Sequence, residues 1–254
     1  MDTGLSGKVV LVTGGAGGIG RAISRHFSRE GSIVAVHYHT SQNEAEGLAS
    51  EIGGMAVQAD LREPLQAEEM VSRVVSELGG LDVCVANSGL YPPEPKPMWE
   101  MGHDRWESTV MSNLGVTANT ARSFLSHASV QGTGSLVLVG STAGIYGEAG
   151  HSDYAAAKGA ITTGLLLSLK NEVSRLGSVR VNAVAPGWTL TEKKADSGLD
   201  EVVMERAKST MALKKFATPN DVAMAIIALS SDEVSGHITG QVIEVAGGME
   251  GRLV

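Results

Sequence analysis

A chain of 254 residues, 43% hydrophobic but only 4% aromatic, can bury a core of Val, Leu, Ile, Ala and Met, and its length suits one large α/β domain. Lys and Arg total 20 against 28 Asp and Glu, and the net charge of −8 repels a phosphate backbone, which argues against nucleic acid as a partner. The single cysteine, Cys84, excludes an internal disulfide and a multi-thiolate metal site. With no apolar signal core and no run of about eighteen apolar residues, the chain reads as cytoplasmic, with no membrane partner and no metal.

Taken in order, short β-branched runs alternate with longer segments of helical period. A strand at Lys8–Val12 leads through a glycine-rich turn into a helix at Ile19–Arg29. Strands at Ile33–Tyr38, Met55–Ala59 and Leu81–Ala86 then alternate with helices at Asn43–Glu51 and Leu65–Leu78. After a Pro-rich loop at Tyr91–Pro97 come a long helix over His103–Ser129, a strand at Leu136–Gly140 and a second long helix over Tyr154–Leu176. Strand Arg180–Ala185, a polar segment at Glu192–Lys215, helix Asn220–Leu229 and strand Gln241–Val245 complete the chain, and Thr218-Pro219-Asn220-Asp221 is a good helix start. Several strands are apolar throughout, as buried parallel strands are. The pattern predicts a Rossmann-type doubly wound parallel sheet of about seven strands with helices on both faces, in a single domain over residues 1–254.

Thr13-Gly14-Gly15-Ala16-Gly17-Gly18-Ile19-Gly20 stands between the first strand and the first helix. Glycines let backbone approach a pyrophosphate, and the following helix N-terminus offers unpaired N–H groups and positive dipole, so this context points to a nucleotide. The run fits both G-x-G-x-x-G and T-G-x-x-x-G-x-G. The second strand ends Tyr38-His39-Thr40-Ser41, without the carboxylate that selects NAD, which favours NADP(H) over NAD(H). No Arg or Lys stands in the loop or at that strand end, and His39 is either a partial phosphate partner or a solvated loop residue. Asp60, after the third strand, either accepts the adenine amino group or caps the following turn.

Tyr154 and Lys158 are four apart at a helix start and share a face. A nearby ammonium, with the positive end of an oxidised nicotinamide, would bring the phenol down from its ordinary pKa near 10 toward working pH, where acid–base catalysis is efficient. Ser141 closes the fifth strand thirteen residues earlier and would reach the same substrate oxygen, though a strand-end serine also caps turns. Asn113, inside a long helical stretch, is either an exposed polar position or the mark of a kink that holds water.

These residues, with Asn87-Ser88-Gly89 and Tyr154-Ala155-Ala156-Ala157-Lys158, make the chain strongly resemble the short-chain dehydrogenase/reductase family from Gly7-Lys8-Val9 to Gly247-Gly248-Met249. The resemblance implies the T-G-x-x-x-G-x-G register, with Gly14, Gly18 and Gly20 at the phosphates and Ile19 beside them, and Tyr38, His39, Asp60 and Leu61 toward the adenosine. It further implies that Asn87 and Gly89 line the cofactor site, that Asn87 stabilises the central sheet, and that the stretch after Pro186 and Gly187 meets the carboxamide through Thr189 and Thr191. The catalytic tetrad would be Asn113, Ser141, Tyr154 and Lys158, with Lys158 also on the nicotinamide ribose and Asn113 anchoring a relay water. Gly17 stands where many NADP-dependent members carry Arg, which argues against NADP, and Ser88 replaces a more usual alanine. The substrate implied is a small-molecule alcohol or carbonyl compound, and the assembly a homotetramer paired through the two long helices.

The second-strand ending and the C-terminal Gly-Gly-Met are closest in pattern to 3-oxoacyl-carrier-protein reductases. Those enzymes typically present two carrier-docking arginines where this chain has Gly132 and Asn171, and an acidic chain repels an acidic carrier, so that activity ranks below an unspecified alcohol or ketone oxidoreductase. A different class, a sensor or structural subunit that binds cofactor without turnover, stays open beside both. Tyr91, Glu148, His151 and Trp188 are candidate substrate-wall residues, with Trp188 alternatively packing on nicotinamide. Residues 192–215 are a candidate lid, within which Lys193 and Lys194 read as solvated, and Cys84 reads as core.

Overall fold

Every strand among the described residues runs in the same direction, and each pair of neighbours is joined by a parallel ladder, in the order β3-β2-β1-β4-β5-β6-β7. The computed structural model describes residues 2–191 and 201–249. The strands are β1 (Val9–Val12), β2 (Ile33–Tyr38), β3 (Met55–Gln58), β4 (Val83–Ala86), β5 (Thr133–Val139), β6 (Ser178–Pro186) and β7 (Val242–Val245). All seven expected strands are present, in one sheet.

The period of two along a strand divides the interior into two cores. Val9 and Leu11 of β1, with Cys84 and Ala86 of β4, join the core on one face, whereas Val10 and Val12, with Val83 and Val85, join the other. Helices α1 (Gly18–Arg29) and α2 (Gln42–Ile52) contribute to the second core, and α3 (Pro64–Leu78) to the first. Cys84 is fully buried, as expected of a core residue.

Both expected long helices are interrupted. The first consists of α4 (His103–Val110), a π turn over Met111–Gly115 and α5 (Val116–Gln131). After a short α6 (Ala143–Tyr146), inside what the sequence offers as a loop, the second starts at Ser152. It runs as α7 (Ser152–Ala160), a π turn over Ile161–Leu165, α8 (Leu166–Glu172) and a 3₁₀ turn over Val173–Arg175. An extra residue in a helical turn re-aims the side chains on either side, which apolar periodicity alone does not register. Of the candidate lid, residues 192–200, with Lys193 and Lys194, lie outside the described residues, and α9 (Glu201–Ser209) occupies part of the rest.

Helix α10 (Pro219–Ser230) starts as expected, with the Thr218 hydroxyl accepting from the Asp221 N–H and the Asp221 carboxylate accepting from the Thr218 N–H. A last short helix, α11 (Asp232–Ser235), precedes β7. Strand order reverses between β1 and β4, the place where a doubly wound sheet opens a crevice at its carboxyl edge. Among the described residues, no helix is long and apolar enough to cross a membrane.

Candidate functional site

A cavity of about 1280 Å³ opens at that edge. This exceeds the roughly 300–1,000 Å³ of an ordinary small-molecule pocket, so it has room for a dinucleotide and a substrate together. Every residue singled out from the sequence as catalytic or cofactor-binding lines it, as do Tyr91, Glu148 and Trp188 of the candidate substrate wall, whereas His151 stands behind that wall. Gly14, Gly18, Ile19 and Gly20 come from the loop after β1, Tyr38 and His39 from the end of β2, and Asp60 and Leu61 from beyond β3. Asn87 and Gly89 follow β4, Asn113 comes from the π turn, Ser141 follows β5, Tyr154 and Lys158 come from α7, and Pro186, Gly187, Thr189 and Thr191 close the circuit after β6.

The glycine loop is shaped by steric necessity. Gly14 has φ +60°, a conformation that side chains disfavour, and a Cβ on Gly20 would lie 2.1 Å from the Gly14 carbonyl oxygen. Behind the loop, Asn87 Nδ2 donates to the carbonyls of Thr13 (2.9 Å) and Gly14 (3.3 Å), tying β1 to β4. No side chain caps α1 and its first turn holds no acid, so its leading N–H groups are left for a ligand. The cradle fits a diphosphate.

His37 supports this loop from inside the sheet. The Gly14 N–H donates to its Nδ1 (3.0 Å) and its Nε2 lies 3.1 Å from the Ala59 carbonyl, an arrangement that requires the neutral ring with its proton on Nε2. Burial, with smaller contributions from its surroundings, lowers its pKa to about 4. The sequence reading weighed His39 and passed over His37, although a lone histidine in an apolar strand was the available signal.

At the adenosine end, Asp60 caps the following turn, its Oδ1 accepting from the Arg62 N–H (3.0 Å). Its carboxylate also grips the Arg62 guanidinium through Nε–Oδ1 at 2.9 Å and Nη2–Oδ2 at 2.6 Å, a pairing that holds its pKa near 2. His39 Nε2 lies 3.6 Å from the same carboxylate. Arg62 lines the cavity, so the cation missing from the second strand end arrives from the third. Its distance in sequence from that strand end hid it.

At the opposite end, Asn113 is completely buried and its amide is fixed, with Nδ2 donating to the carbonyls of Leu90 and Thr109 (both 2.9 Å) and Oδ1 accepting from the Leu90 N–H (3.3 Å). The exposed alternative is thereby removed and the kink is real. Gly89 lets these groups close in, since a Cβ there would lie 2.7 Å from Asn113 Oδ1 and 3.2 Å from Lys158 Nζ. Ser141 stands close enough to the Tyr154 phenol to oppose the effect of burial on its pKa, and its hydroxyl accepts from the Ala143 N–H (3.2 Å).

The expectation that Lys158 lowers the Tyr154 pKa is not met by the chain alone. Burial raises the phenol to about 12, Ser141 works against it and the Glu148 charge adds to it. Lys158 Nζ donates instead to the Val139 carbonyl (2.9 Å), 5.8 Å from the Tyr154 ring centre, and burial lowers its own pKa to about 8.

Asp153 anchors the start of α7. It accepts from Arg105 Nε and Thr109 Oγ1, both at 2.9 Å, and its Oδ1 accepts from the Tyr154 N–H (2.9 Å). Burial pulls its pKa up, but these bonds, chiefly that from Arg105, hold it below the usual carboxylate value. Nothing local signals a partner 48 residues away. Of the candidate wall, Tyr91 stacks on His151 with ring centres 4.6 Å apart and meets Tyr154 edge-on at 5.1 Å. Trp188 lines the cavity and stacks on Phe216 at 5.7 Å.

Comparison with known proteins agrees with this geometry. The family described as enoyl-(acyl carrier protein) reductase matches residues 14–250. The 3-oxoacyl-(acyl-carrier-protein) reductase FabG of Thermotoga maritima is 35% identical over 254 residues, covering 96% of this chain and 98% of that protein. The enzyme of the same name from Staphylococcus aureus strain Mu50 is 32% identical over 95% of this chain and 98% of its own length. That from Chlamydia muridarum is 30% identical over 98% of this chain and its own full length. A glycine cradle at one end of the crevice, a half-buried tyrosine beside a buried lysine at the other, and likeness along almost the whole chain have one explanation: the protein belongs to the short-chain dehydrogenase/reductase family and is an NAD(P)-dependent oxidoreductase acting on CH–OH or keto groups.

Proposed function

We propose that Tyr154 is the general acid–base of this oxidoreductase, with Ser141, Lys158 and Asn113 as its partners, and that its cofactor is NADP(H) in preference to NAD(H). The observation that carries the reading is the convergence of Asn113, Ser141, Tyr154 and Lys158 on one cavity wall, with Asn113 and Lys158 closing in on Gly89.

A bound nicotinamide supplies or accepts the hydride. Ser141 holds the substrate oxygen and Tyr154 gives it a proton during reduction, a task suited to a phenol that burial keeps protonated at neutral pH. Lys158, fixed on the Val139 carbonyl, faces the nicotinamide ribose, and Asn113 anchors a relay water. Gly14, Gly18, Ile19 and Gly20 hold the diphosphate. Tyr38, His39, Asp60 and Leu61 hold the adenosine, Asn87 and Gly89 the middle of the molecule, and Pro186, Gly187, Thr189 and Thr191 the carboxamide. The preference for NADP(H) is supported by a second strand ending without a carboxylate and by His39 and the Arg62 cation in the cavity beyond it. Tighter binding of NADPH than NADH, measured by calorimetry, is the expected result, and the reverse order refutes it.

The substrate is a small alcohol or ketone rather than a carrier-bound acyl group. The names of the relatives favour 3-oxoacyl reduction, whereas Gly132, Asn171 and the net charge of −8 oppose docking of an acidic carrier. Turnover of 3-oxoacyl thioesters above every simple alcohol and ketone would decide for the relatives' activity. Failure of every substrate, in a protein that binds cofactor normally, would decide for a sensor or structural subunit. The enzyme is cytoplasmic and homotetrameric, paired through α4–α5 and α7–α8, which present exposed Leu167 and, at the π turn, Met111. A monomer by light scattering would refute the assembly.

A further inference from the structure

The substrate end of the cavity carries an acidic group that the proton-transfer machinery does not use. Glu148 stands on the wall formed with Tyr91, Tyr146 and Ala149, its side chain 31% exposed. Its Oε1 accepts a 2.5 Å hydrogen bond from the Tyr91 hydroxyl. Tyr91 is held in turn by the His151 ring stacked against it, and His151 is itself fixed by Nε2, which lies 3.1 Å from the Pro92 carbonyl. The other Glu148 oxygen, Oε2, has no hydrogen-bond partner among the described residues. The carboxylate is near enough to Tyr154 for its charge to raise the phenol pKa, and the Tyr91 ring edge spans the gap between them.

Resting on the oxidoreductase reading above, we propose that Glu148, oriented by Tyr91 and His151, is a specificity residue that selects substrates with a hydroxyl on the carbon next to the reacting one. A fixed acceptor in a partly desolvated wall rewards a ligand O–H and penalises an analogue that leaves it unpaired. It also repels a ligand carboxylate by like charge, and Tyr91, Tyr146 and Ala149, the described residues that share its wall, carry no cation; Lys158 and Arg206 line the same cavity elsewhere. Tyr146 does not neutralise it, because its hydroxyl donates to Glu244 (2.8 Å). The Tyr91 proton already shares the Glu148 charge, which leaves an acceptor suited to a neutral hydroxyl more than to a full cation.

Four matched alcohols test this: hexane-1,2-diol, hexan-2-ol, 2-hydroxyhexanoate and 1-aminohexan-2-ol. They react at the same C2, whose hydrogen leaves as hydride to NADP⁺ or NAD⁺ while the hydroxyl proton passes to Tyr154 as phenolate, its own proton having first left to solvent by the relay water, and they differ only in the group at C1. For the wild-type enzyme, kcat/KM for the diol is expected to exceed that for hexan-2-ol at least about ten-fold, a modest value for a site built to pair a hydroxyl. The carboxylate is expected to be slowest. Glu148→Gln is expected to bring the diol ratio toward one, mainly through KM, and to relieve the exclusion of 2-hydroxyhexanoate. Tyr91→Phe, which keeps the carboxylate but loses its orienting donor, gives an intermediate ratio and serves if Glu148→Gln does not fold.

A wild-type ratio near one, or a ratio unchanged in both variants, overturns the assignment. Preference for the amino alcohol over the diol overturns it in favour of a cation site. If cofactor binds but none of the four is turned over, the oxidoreductase reading fails for such alcohols. Calorimetry on the NADP⁺-loaded protein then judges Glu148 separately: tighter binding of diol than of hexan-2-ol, lost in Glu148→Gln, sustains the proposal, and equal binding ends it.

Discussion

The two ends of the cavity are built by different means. The nucleotide end is mostly backbone, shaped by glycines whose missing side chains let the Gly14 carbonyl approach α1 and leave the helix N-terminus open. The substrate end is mostly side chains, brought by β5, the π turn and α7 into a desolvated space where Tyr154 is raised to about 12 and Lys158 lowered to about 8. At its phosphate loop the first end should therefore be sensitive to volume and largely indifferent to charge, and the second end the reverse.

The largest effect belongs to the substrate end. Tyr154→Phe removes the proton donor while keeping the ring that packs on Tyr91, so kcat should fall by about two to four orders of magnitude. The Kd for NADPH should change little. A comparable loss of cofactor affinity would mean that the two ends are not separable.

Gly20→Ala is the matching change at the nucleotide end. Its Cβ would lie against the Gly14 carbonyl oxygen, which cannot move without displacing the loop, whereas the Cβ of Gly18→Ala would meet only one side chain, Thr191, at Cγ2 (2.7 Å) and Cβ (2.9 Å), and leave the loop backbone itself untouched. Overpacking of the first kind costs about 1–3 kcal/mol. Titration with NADPH should show a loss of roughly ten-fold or more for Gly20→Ala and a much smaller one for Gly18→Ala. Equal losses would place the loop's rigidity elsewhere.

How much was legible follows the same division. A glycine-rich phosphate loop could be read because the requirement it meets is local, a tight turn between a strand and a helix, but the choice of Gly14, Gly18 and Gly20 within it came from the family resemblance. Asn113 could be read as an anomaly, a middling helix former inside a helix, and the π turn explains it. His37, Arg62 and the Arg105–Asp153 anchor were not read as site residues, because each acts through a partner that only the folded sheet and its loops supply. Burial energetics misled for the same reason. Spacing placed Lys158 beside Tyr154, but desolvation of both groups is a tertiary property, and in the chain alone it outweighs their proximity.

That desolvation makes the substrate end a reservoir of instability. With a folded pKa of about 8 against an ordinary value of 10.5, Lys158 is charged at pH 7 at a net cost of about 3 kcal/mol, and removing the side chain would return about 1 of that by leaving the Val139 carbonyl unpaired. Lys158→Met should be inactive yet more stable at pH 7 by about 2 kcal/mol in urea unfolding. The gain should shrink as pH rises from 8 to 10.5, where the folded wild type has released the proton and the unfolded chain has not. A variant less stable than wild type at pH 7 would show that the ammonium contributes to folding.

The nucleotide end holds one titratable group that tests its supposed indifference to charge. His37 is neutral in the fold with a pKa of about 4, against 6.5 when exposed, so between those values the unfolded chain binds the extra proton and stability falls as pH falls. Above pH 6.5 the group contributes no pH dependence. Below it the loss approaches about 1.4 kcal/mol per pH unit, in a range where Asp60, held near 2, is already ionised. His37→Gln retains an acceptor for the Gly14 N–H and a donor for the Ala59 carbonyl while removing the titration. Its stability should therefore follow that of wild type above pH 6.5 and decline less steeply between 6.5 and 5, while the NADPH affinities of the two stay parallel over that interval, where the folded ring is neutral, and part only as pH nears 4 and the Gly14 N–H loses its acceptor. Parallel stability curves through that interval would mean that His37 is solvated enough to take up its proton without disturbing the loop, and that the nucleotide end is governed by volume alone.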